Sequence, residues 1–482
     1  MPIEIPELNF SALWPLSIIV IAGLLIMILD LIIGDKRSLG WISLLGVIIA
    51  GSVGALQQSN PNFVPTFQTL AITDSYTHFF NLIFLVTAGL SILVALGYLG
   101  HAEVRRGEYF ALLLFSTSGM MIMAAATDLM IVFLGLEIMS IALYIMSAID
   151  RQRRTSGEAG VKYFMLGAYA SAFFLYGVAM IYGATGSTNL NQIGTVLSSG
   201  VDRDPVALLG LGLLLIGFAF KVAAVPFHWW TPDVYYGAPT AVTTFMSVGA
   251  KAAGFAALVR VLMVSFSPVF VIDWQIALAV LAVLTMTLGN ITALAQKDVK
   301  RMLAYSSIAH AGYIFVGVAA GTSTGVSSAL FYLMVYAFMN VGAFAVIGVL
   351  ERKNEVGTDL SDYAGLAARS PWLAAVMTIF LLSLTGFPPL AGFWGKFYVF
   401  GAAVQADLTW LAIIGVINSG VAAFYYLGVI VQMYMRRTAE DAPALSLTPA
   451  TRIALGVSAV ATVIIGLWPS IVVNIAAVNF FG

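Results

Sequence analysis

Fourteen apolar stretches, most of them about as long as a lipid bilayer is thick, decide what this chain can become. They cover residues 12–33, 39–56, 76–99, 108–126, 128–149, 161–183, 206–227, 240–264, 272–295, 302–321, 325–350, 371–399, 408–434 and 452–475. A spanning helix needs about 20 mostly apolar residues, and inside a bilayer only helices and closed barrels satisfy every backbone N–H and C=O. Long runs without polar alternation select the helix. Charged residues make up 9% of the chain, against about 25% in a soluble domain. The sequence predicts an all-α polytopic membrane protein of about 14 transmembrane helices. The longest gaps, 184–205 and 351–370, leave no room for a soluble domain. The fourth and fifth stretches meet at a tight turn near Thr127 and Asp128.

Charge placement orients the bundle. If the first helix exits to the cytoplasm, 16 of the 22 basic residues fall on the cytoplasmic side, among them Arg151, Arg153, Arg154, Lys300, Arg301, Arg352 and Lys353. Only Arg203 falls on the other side, a segregation that follows the positive-inside rule. Both termini are expected on the outer face. The acidic start MPIEIPELNF is neither a basic signal-peptide region nor a transit peptide, so the first hydrophobic helix drives insertion.

Two of the stretches are interrupted. In GFAFKVAAVPFHWWTPDVYYGAPT, Lys221 precedes Pro226 and Pro232; in LLSLTGFPPLAGFWGKFYVF, Pro388 and Pro389 precede Lys396. Proline removes a helix hydrogen bond and clashes with the preceding turn. A membrane tolerates the freed backbone where it faces protein or a hydrated cavity, and a pair of such breaks is the usual trace of an ion site between repeats. The breaks fall in helices 7 and 12, five apart, so helices 4–8 and 9–13 overlay as two five-helix repeats. An odd number of spans per unit forces the second to be inverted. The expected division is one integral membrane domain with N-terminal helices in 1–107, repeat one in 108–264, repeat two in 272–434 and a C-terminal helix at 452–475.

Ionisable residues inside such helices are functional candidates by default. Glu137 lies midway through helix 5, with a hydrogen-bonded protonated carboxyl as the alternative. Lys221 lies about ten residues from any interfacial charge. Desolvation disfavours its ammonium and a nearby carboxylate favours it, so a balanced lysine can exchange a proton near neutral pH; the alternative is a static ion pair with Glu137. Lys251, among small residues in helix 8, could instead cap carbonyls freed in helix 7. Lys396 follows the second break, matching Lys221 in the repeat, with snorkelling as its competitor. Lys162 starts helix 6 as a cytoplasmic anchor or a relay. His310, mid-helix 10, is a relay or a satisfied hydrogen-bonder. Arg260 and His228 read as anchors near helix ends, and Phe227, Trp229, Trp230, Tyr235 and Tyr236 as an interfacial belt or a packing wedge.

Other chemistries find no support. The absence of cysteine excludes disulfides, iron–sulfur clusters and thiolate metal sites. Four scattered histidines do not suggest a metal cage, and no basic arm suggests nucleic acid. No phosphate-binding glycine loop, dinucleotide fingerprint or nucleophile triad appears.

Glu137 in helix 5, Lys221 within FKVAAVPFHWWTPDVYYGAPT, Lys251 in helix 8 and Lys396 in a broken helix 12 resemble the antiporter-like membrane subunits of respiratory complex I, which are related to subunits of multisubunit cation/proton antiporters. The resemblance covers nearly the whole chain, and the helix 7 motif is highly specific. Within the family, Lys396 departs from the subunit type that typically carries glutamate there, and an end at Gly482 leaves no room for the long lateral helix of another type.

The resemblance implies proton translocation coupled to redox chemistry elsewhere. Glu137 and Lys221 would be the coupling pair on the cytoplasmic half-channel, Lys251 the central proton-holding site, and Lys396 the outward relay. Lys162 would modulate Lys221, and His310 would lie on the connecting axis. NADH, flavin, iron–sulfur clusters and quinone are expected in partner subunits; the partners are other antiporter-like and small membrane subunits, in the bacterial inner membrane. Two alternatives stand beside it: a cation/proton antiporter component, and a structural spacer whose lysines only hold helices together.

Overall fold

The structure, a computed structural model, describes residues 10–58, 65–66, 70–98, 107–199, 204–351, 357–437, 445 and 447–477. Both termini, His101, Arg105, Arg106, Arg203, Arg352 and Lys353 lie outside the described residues. Nineteen α-helices are described. Three open the chain: α1 (Trp14–Ile32), α2 (Lys36–Gln58) and α3 (Ser75–Tyr98). The first repeat holds α4 (Glu108–Ala125), α5 (Leu129–Ser147), α6 (Arg154–Thr185), the short α7 (Leu190–Ser199), α8 (Pro205–Val222), α9 (Trp230–Gly237) and α10 (Thr240–Val261). The second holds α11 (Ser267–Leu294), α12 (Val299–Ala319), α13 (Ser323–Leu350), α14 (Leu366–Arg369), α15 (Pro371–Thr385), α16 (Ala391–Gln405) and α17 (Thr409–Met435), and α18 (Pro449–Leu467) and α19 (Ser470–Ala476) follow.

Thirteen of these are long and apolar enough to cross a membrane. The fourteenth span is α15 and α16 together, each 15 residues. The seventh span likewise consists of α8 continued by the eight-residue α9. The two inverted repeats of five spans, α4 to α10 and α11 to α17, each carry the broken span as their fourth member.

Local chemistry explains the joints. Asp128 accepts from the Met130 amide at 2.8 Å, an N-cap that separates α5 from α4. The sixth span begins earlier than its apolar run, at Arg154 rather than near 161, because a polar first turn costs a helix nothing outside the hydrocarbon layer. Helix α7 occupies part of the gap 184–205 between apolar stretches. A two-residue antiparallel pairing, Pro65–Thr66 with Ala71–Ile72, is the only β-sheet among the described residues.

The centre of the bundle is built by α10, α12 and α13. Their most apolar stretches are 94%, 94% and 83% buried, against 28% for α1 and 33% for α17. The inner helices can therefore hold polar groups away from lipid, and the outer ones present apolar faces, such as Leu31, Ile32, Phe424 and Met435, to their surroundings.

Candidate functional site

The two breaks end their first half-helix in the same way. At α8, Ala223 is left-handed (φ 62°, ψ 40°) and the Ala224 amide donates back to Ala219 O at 2.8 Å. At α15, Gly386 is left-handed (φ 89°) and the Phe387 amide donates to Leu382 O at 3.0 Å. Both are Schellman closures, in which the chain turns back onto carbonyls that the helix no longer uses. At the first break, Trp230 Nε1 donates to Phe220 O at 3.0 Å, and the freed Val225 amide donates to Thr285 Oγ1 at 3.0 Å. Thr285 stands on α11, so the break in one repeat is satisfied by the other.

Lys221 occupies the last turn of α8, 1% exposed. Its ammonium reaches away from its own helix to α5, donating to Ser140 Oγ at 2.8 Å and Tyr144 OH at 3.3 Å. Glu137, one turn earlier on α5, accepts from Ser171 Oγ at 2.5 Å. No ion pair joins Glu137 to Lys221, so the static pair is not what holds the lysine. Ser140 stands between the two groups along the helix. Gly167 makes room for this arrangement, since a Cβ there would lie 2.0 Å from the Tyr144 hydroxyl oxygen.

Lys251, 2% exposed, donates to Ser307 O at 2.5 Å and to Ser307 Oγ on α12. It does not cap the carbonyls of the broken span; those are closed by the turn itself. Beside Ser307 a separate row of hydrogen bonds begins. The adjacent Ser306 bonds Tyr426 OH, Tyr426 OH lies 3.1 Å from His310 Nε2, and His310 Nδ1 lies 2.7 Å from Tyr332 OH. A hydroxyl can donate or accept, so both ring nitrogens are served in either tautomer. One helical turn beyond His310, the Tyr313 ring lies 4.8 Å from the Lys396 ammonium, and Tyr313 OH accepts from Asn290 Nδ2 at 2.9 Å.

Lys396 is 5% exposed, which overturns snorkelling. Its Nζ donates to Thr385 O at 2.7 Å, the end carbonyl of α15, and to Ser419 Oγ at 2.6 Å. The structure thus aligns Lys251, His310 and Lys396 along one polar row, with Lys221 and Glu137 on the neighbouring α8 and α5. Lys162 stands apart. It lies in the third turn of α6 rather than at its start, has its side chain 41% exposed, and pairs with Glu158 at 2.7 Å and Asp233 at 2.9 Å. Asp233 also pairs with Arg301 at 2.8 Å.

Other expectations need correction. Arg260 is no anchor: 3% exposed, it grips Asp74 with both guanidinium arms at 2.8 and 2.9 Å and donates to Ala124 O at 3.0 Å, tying α10 to α3 and α4. Burial pushes the Asp74 carboxyl up, and the Arg260 charge and its hydrogen bonds more than offset this, holding it below the usual carboxylate value. Lys300 is fully buried rather than a loop cation; it donates to Ala238 O at 2.8 Å and approaches Glu351 at 3.4 Å. Glu351 also takes Arg153 at 3.0 Å and the Thr240 hydroxyl. Burial raises the Glu351 carboxyl, but Lys300 and Arg153 pull it below its ordinary value. His228 is 7% exposed and so is not an interfacial anchor. Of the aromatic cluster, Trp230 stacks on Tyr163 at 4.4 Å as a buried wedge, whereas Trp229 is 74% exposed.

The serine and tyrosine partners were missed in the sequence, although a signal existed. Glu137, Ser140 and Tyr144 follow 3,4 spacing and share one face of a helix, and Ser306 and Ser307 precede His310 by four and three residues.

The fold and site define a class: an inverted-repeat membrane protein with buried lysines set at and between two broken helices. A sequence profile described as "NADH:quinone oxidoreductase/Mrp antiporter, TM" matches residues 126–422. NADH-quinone oxidoreductase subunit N of Trichlorobacter lovleyi is 48% identical over 472 residues, covering 97% of this chain and 96% of its own. The Chloroflexus aggregans protein of the same name is 44% identical over 475 residues, with 97% and 96% covered. A chain of respiratory complex I from Thermus thermophilus superposes with a TM-score of 0.82 at 35% identity, covering 96% of this chain and 100% of that one. A chain of the Mrp complex from Dietzia, at 20% identity and a TM-score of 0.87 over 98% and 97% of the two chains, shares the fold. The chain belongs to the NADH:quinone oxidoreductase/Mrp antiporter family of membrane subunits.

Proposed function

We propose that this chain is a proton-translocating membrane subunit of an NADH:quinone oxidoreductase, moving protons along buried Glu and Lys residues while electrons travel in other subunits. The observation that carries the reading is the set of buried lysines whose partners are hydroxyls and carbonyls rather than carboxylates. An ammonium held only by neutral groups has no fixed counter-charge, so a small change in nearby charge decides whether it keeps its proton.

Glu137 and Lys221 act as the coupling pair, Lys251 holds the central proton, and Lys396 passes it toward the outer side. His310 connects Lys251 to Lys396, switching tautomer between its two tyrosines. Lys162, within its surface ion pairs, tunes the field at the mouth of the α8–α9 break. A charge or conformational change from a neighbouring subunit moves Glu137 relative to Lys221. Driving one charge against about 100 mV requires about 2.3 kcal/mol, within the range that a displaced buried charge supplies. NADH, flavin, iron–sulfur clusters and quinone belong to partner subunits, and the neighbours in the membrane are other antiporter-like and small membrane subunits. The chain sits in the bacterial inner membrane with the Arg153–Glu351 end toward the cytoplasm and both termini outside. We read it as one integral membrane domain, with N-terminal helices in 1–107, repeats in 108–264 and 272–434, and a C-terminal helix at 452–475.

The test is NADH-driven proton pumping in vesicles carrying Lys221→Ala, after a native gel shows the full complex. Normal assembly with lost pumping is expected. An assembled variant with an unchanged proton-to-electron ratio overturns the reading, and sodium-dependent pH changes without NADH would favour an antiporter component.

A further inference from the structure

Resting on that reading, one question concerns how the central lysine is loaded. The hydrogen bonds of Lys221 go to α5 and those of Lys251 go to α12. Among the described residues, no hydrogen bond joins the two.

A different line of polar groups does lead to Lys251. On α10, Thr240, Thr244, Ser247 and Lys251 follow at intervals of four, three and four residues, which places them on one helical face. The three hydroxyl residues are 0% exposed. Thr240 bonds the Glu351 carboxylate. Thr244 Oγ1 donates to Thr240 O at 2.8 Å and Ser247 Oγ to Thr244 O at 3.1 Å. Across the gap, Asn340 on α13 donates to Ser247 Oγ at 2.8 Å.

Small hydroxyl residues can serve close packing alone, with each hydroxyl returned to its own helix. Two observations go beyond that. Asn340 is 0% exposed, and its Oδ1 has no partner; a buried amide left half-satisfied in the middle of a bundle calls for a ligand that donates a hydrogen bond, as water does. At the other end, a cavity of about 20 Å³ lies beside Gly348, lined also by Tyr98, Thr448 and Thr451. A single water needs about 10–15 Å³ of such space. A Cβ added at Gly348 would lie 3.6 Å from Thr240 Cγ2, so one lining residue of the cavity stands close to Thr240, although the file's own residues do not line it.

We propose that Glu351, Thr240, Thr244, Ser247 and Asn340 form a water-bridged proton uptake file that loads Lys251 without passing through Glu137 or Lys221. From Thr240 to Lys251 the helix rises about 16 Å. Successive Cβ atoms on this face stand about 5–6 Å apart, a spacing that one bridging water closes. Protons enter beside the Glu351 carboxylate, which Arg153 and Lys300 keep ionised and which orients the Thr240 hydroxyl. Lys221 then works by its charge: it governs when Lys251 releases, not how it fills.

The test is the pair Thr244→Val and Thr244→Ser, in assembled complex, read as the proton-to-electron ratio of NADH-driven pumping. Valine keeps the shape of threonine and removes only the hydroxyl; serine keeps the hydroxyl. The valine variant should lose ratio while NADH oxidation continues, and the serine variant should match the parent. Asn340→Leu should lose ratio as well, and Glu351→Gln should lower it if that variant assembles. A Thr244→Val complex that pumps at the parent ratio overturns the file. Lys251→Ala, run alongside, separates the two readings. If it is silent while Thr244→Val is normal, only the file fails; if Lys251→Ala itself pumps normally, the lysine row fails with it.

Discussion

The two broken spans are built alike and use their lysines differently. Both first halves close with a left-handed residue and a bond five residues back. Lys221 sits before its break and reaches out to hydroxyls on α5. Lys396 sits after its break and reaches back across it, to the end carbonyl of α15 and to Ser419 on α17. The first lysine is held by another helix's side chains, the second by a side chain of another helix and also by the backbone of its own broken span. A hydroxyl can turn, donate or accept; a carbonyl only accepts. The first break is therefore the more responsive site and the second the more rigid one.

Substituting the lysines should expose that difference most strongly. Lys221→Ala and Lys396→Ala should both abolish pumping in assembled complex. Lys396→Ala should lower the thermal stability of the purified complex more, by about 1.5–3 kcal/mol for the lost charge-assisted bonds. Ser140 keeps Leu136 O as an acceptor when Lys221 is gone, and Ser419 keeps Thr385 O when Lys396 is gone; the difference rests on the shorter bonds of Lys396, so Lys221→Ala should melt closer to the parent. Equal melting of the two variants would break the comparison.

Gly386→Ala comes next. The left-handed conformation costs an L-residue about 1–2 kcal/mol, and a Cβ there would lie 2.9 Å from Lys396 Cδ. Lower stability and reduced pumping should appear together, because the lysine stem runs directly over the glycine. A variant that melts lower yet pumps normally would show that Lys396 does not depend on the turn.

Single hydroxyls should have smaller effects. Ser140→Ala removes the shorter of the two bonds to Lys221 and should slow pumping more than Tyr144→Phe, whose bond is 3.3 Å. Ser419→Ala should matter least of the three, since Thr385 O still holds Lys396. Initial proton-pumping rates at matched complex content rank them.

The span count, the two breaks and the inverted repeat were legible in the sequence, because bilayer thickness and proline geometry act on single residues and short runs. The lysines were legible for the same reason: an ammonium among apolar residues stands out in any alignment-free reading. Their partners were not. Ser140, Ser307 and Ser419 are common residues in membrane helices, and only the reach of Lys221 to α5, of Lys251 to α12 and of Lys396 to α17 gives them a role. Arg260 and Lys300 were misassigned because distance from a helix end does not reveal burial. Arg260 finds Asp74 186 residues away and Lys300 approaches Glu351 51 residues away, pairings that no local pattern encodes.

The smallest expected effect concerns Ala223, the counterpart of Gly386. A non-glycine residue at φ 62° carries about 1–2 kcal/mol of backbone strain, so Ala223→Gly should relieve it. Two losses oppose the gain. The Ala223 methyl is fully buried, worth about 0.8 kcal/mol per carbon removed from water, and glycine adds about 0.4–1 kcal/mol of unfolded-chain entropy. The terms nearly cancel, and thermal melts should show a change of less than about 1 kcal/mol, with pumping unaltered. A clear rise in stability would mean that the first break stores strain that the second, with glycine, does not. A clear fall would mean that the methyl's packing fixes the turn, and that the first break is held more firmly than the hydrogen bonds of Lys221 indicate.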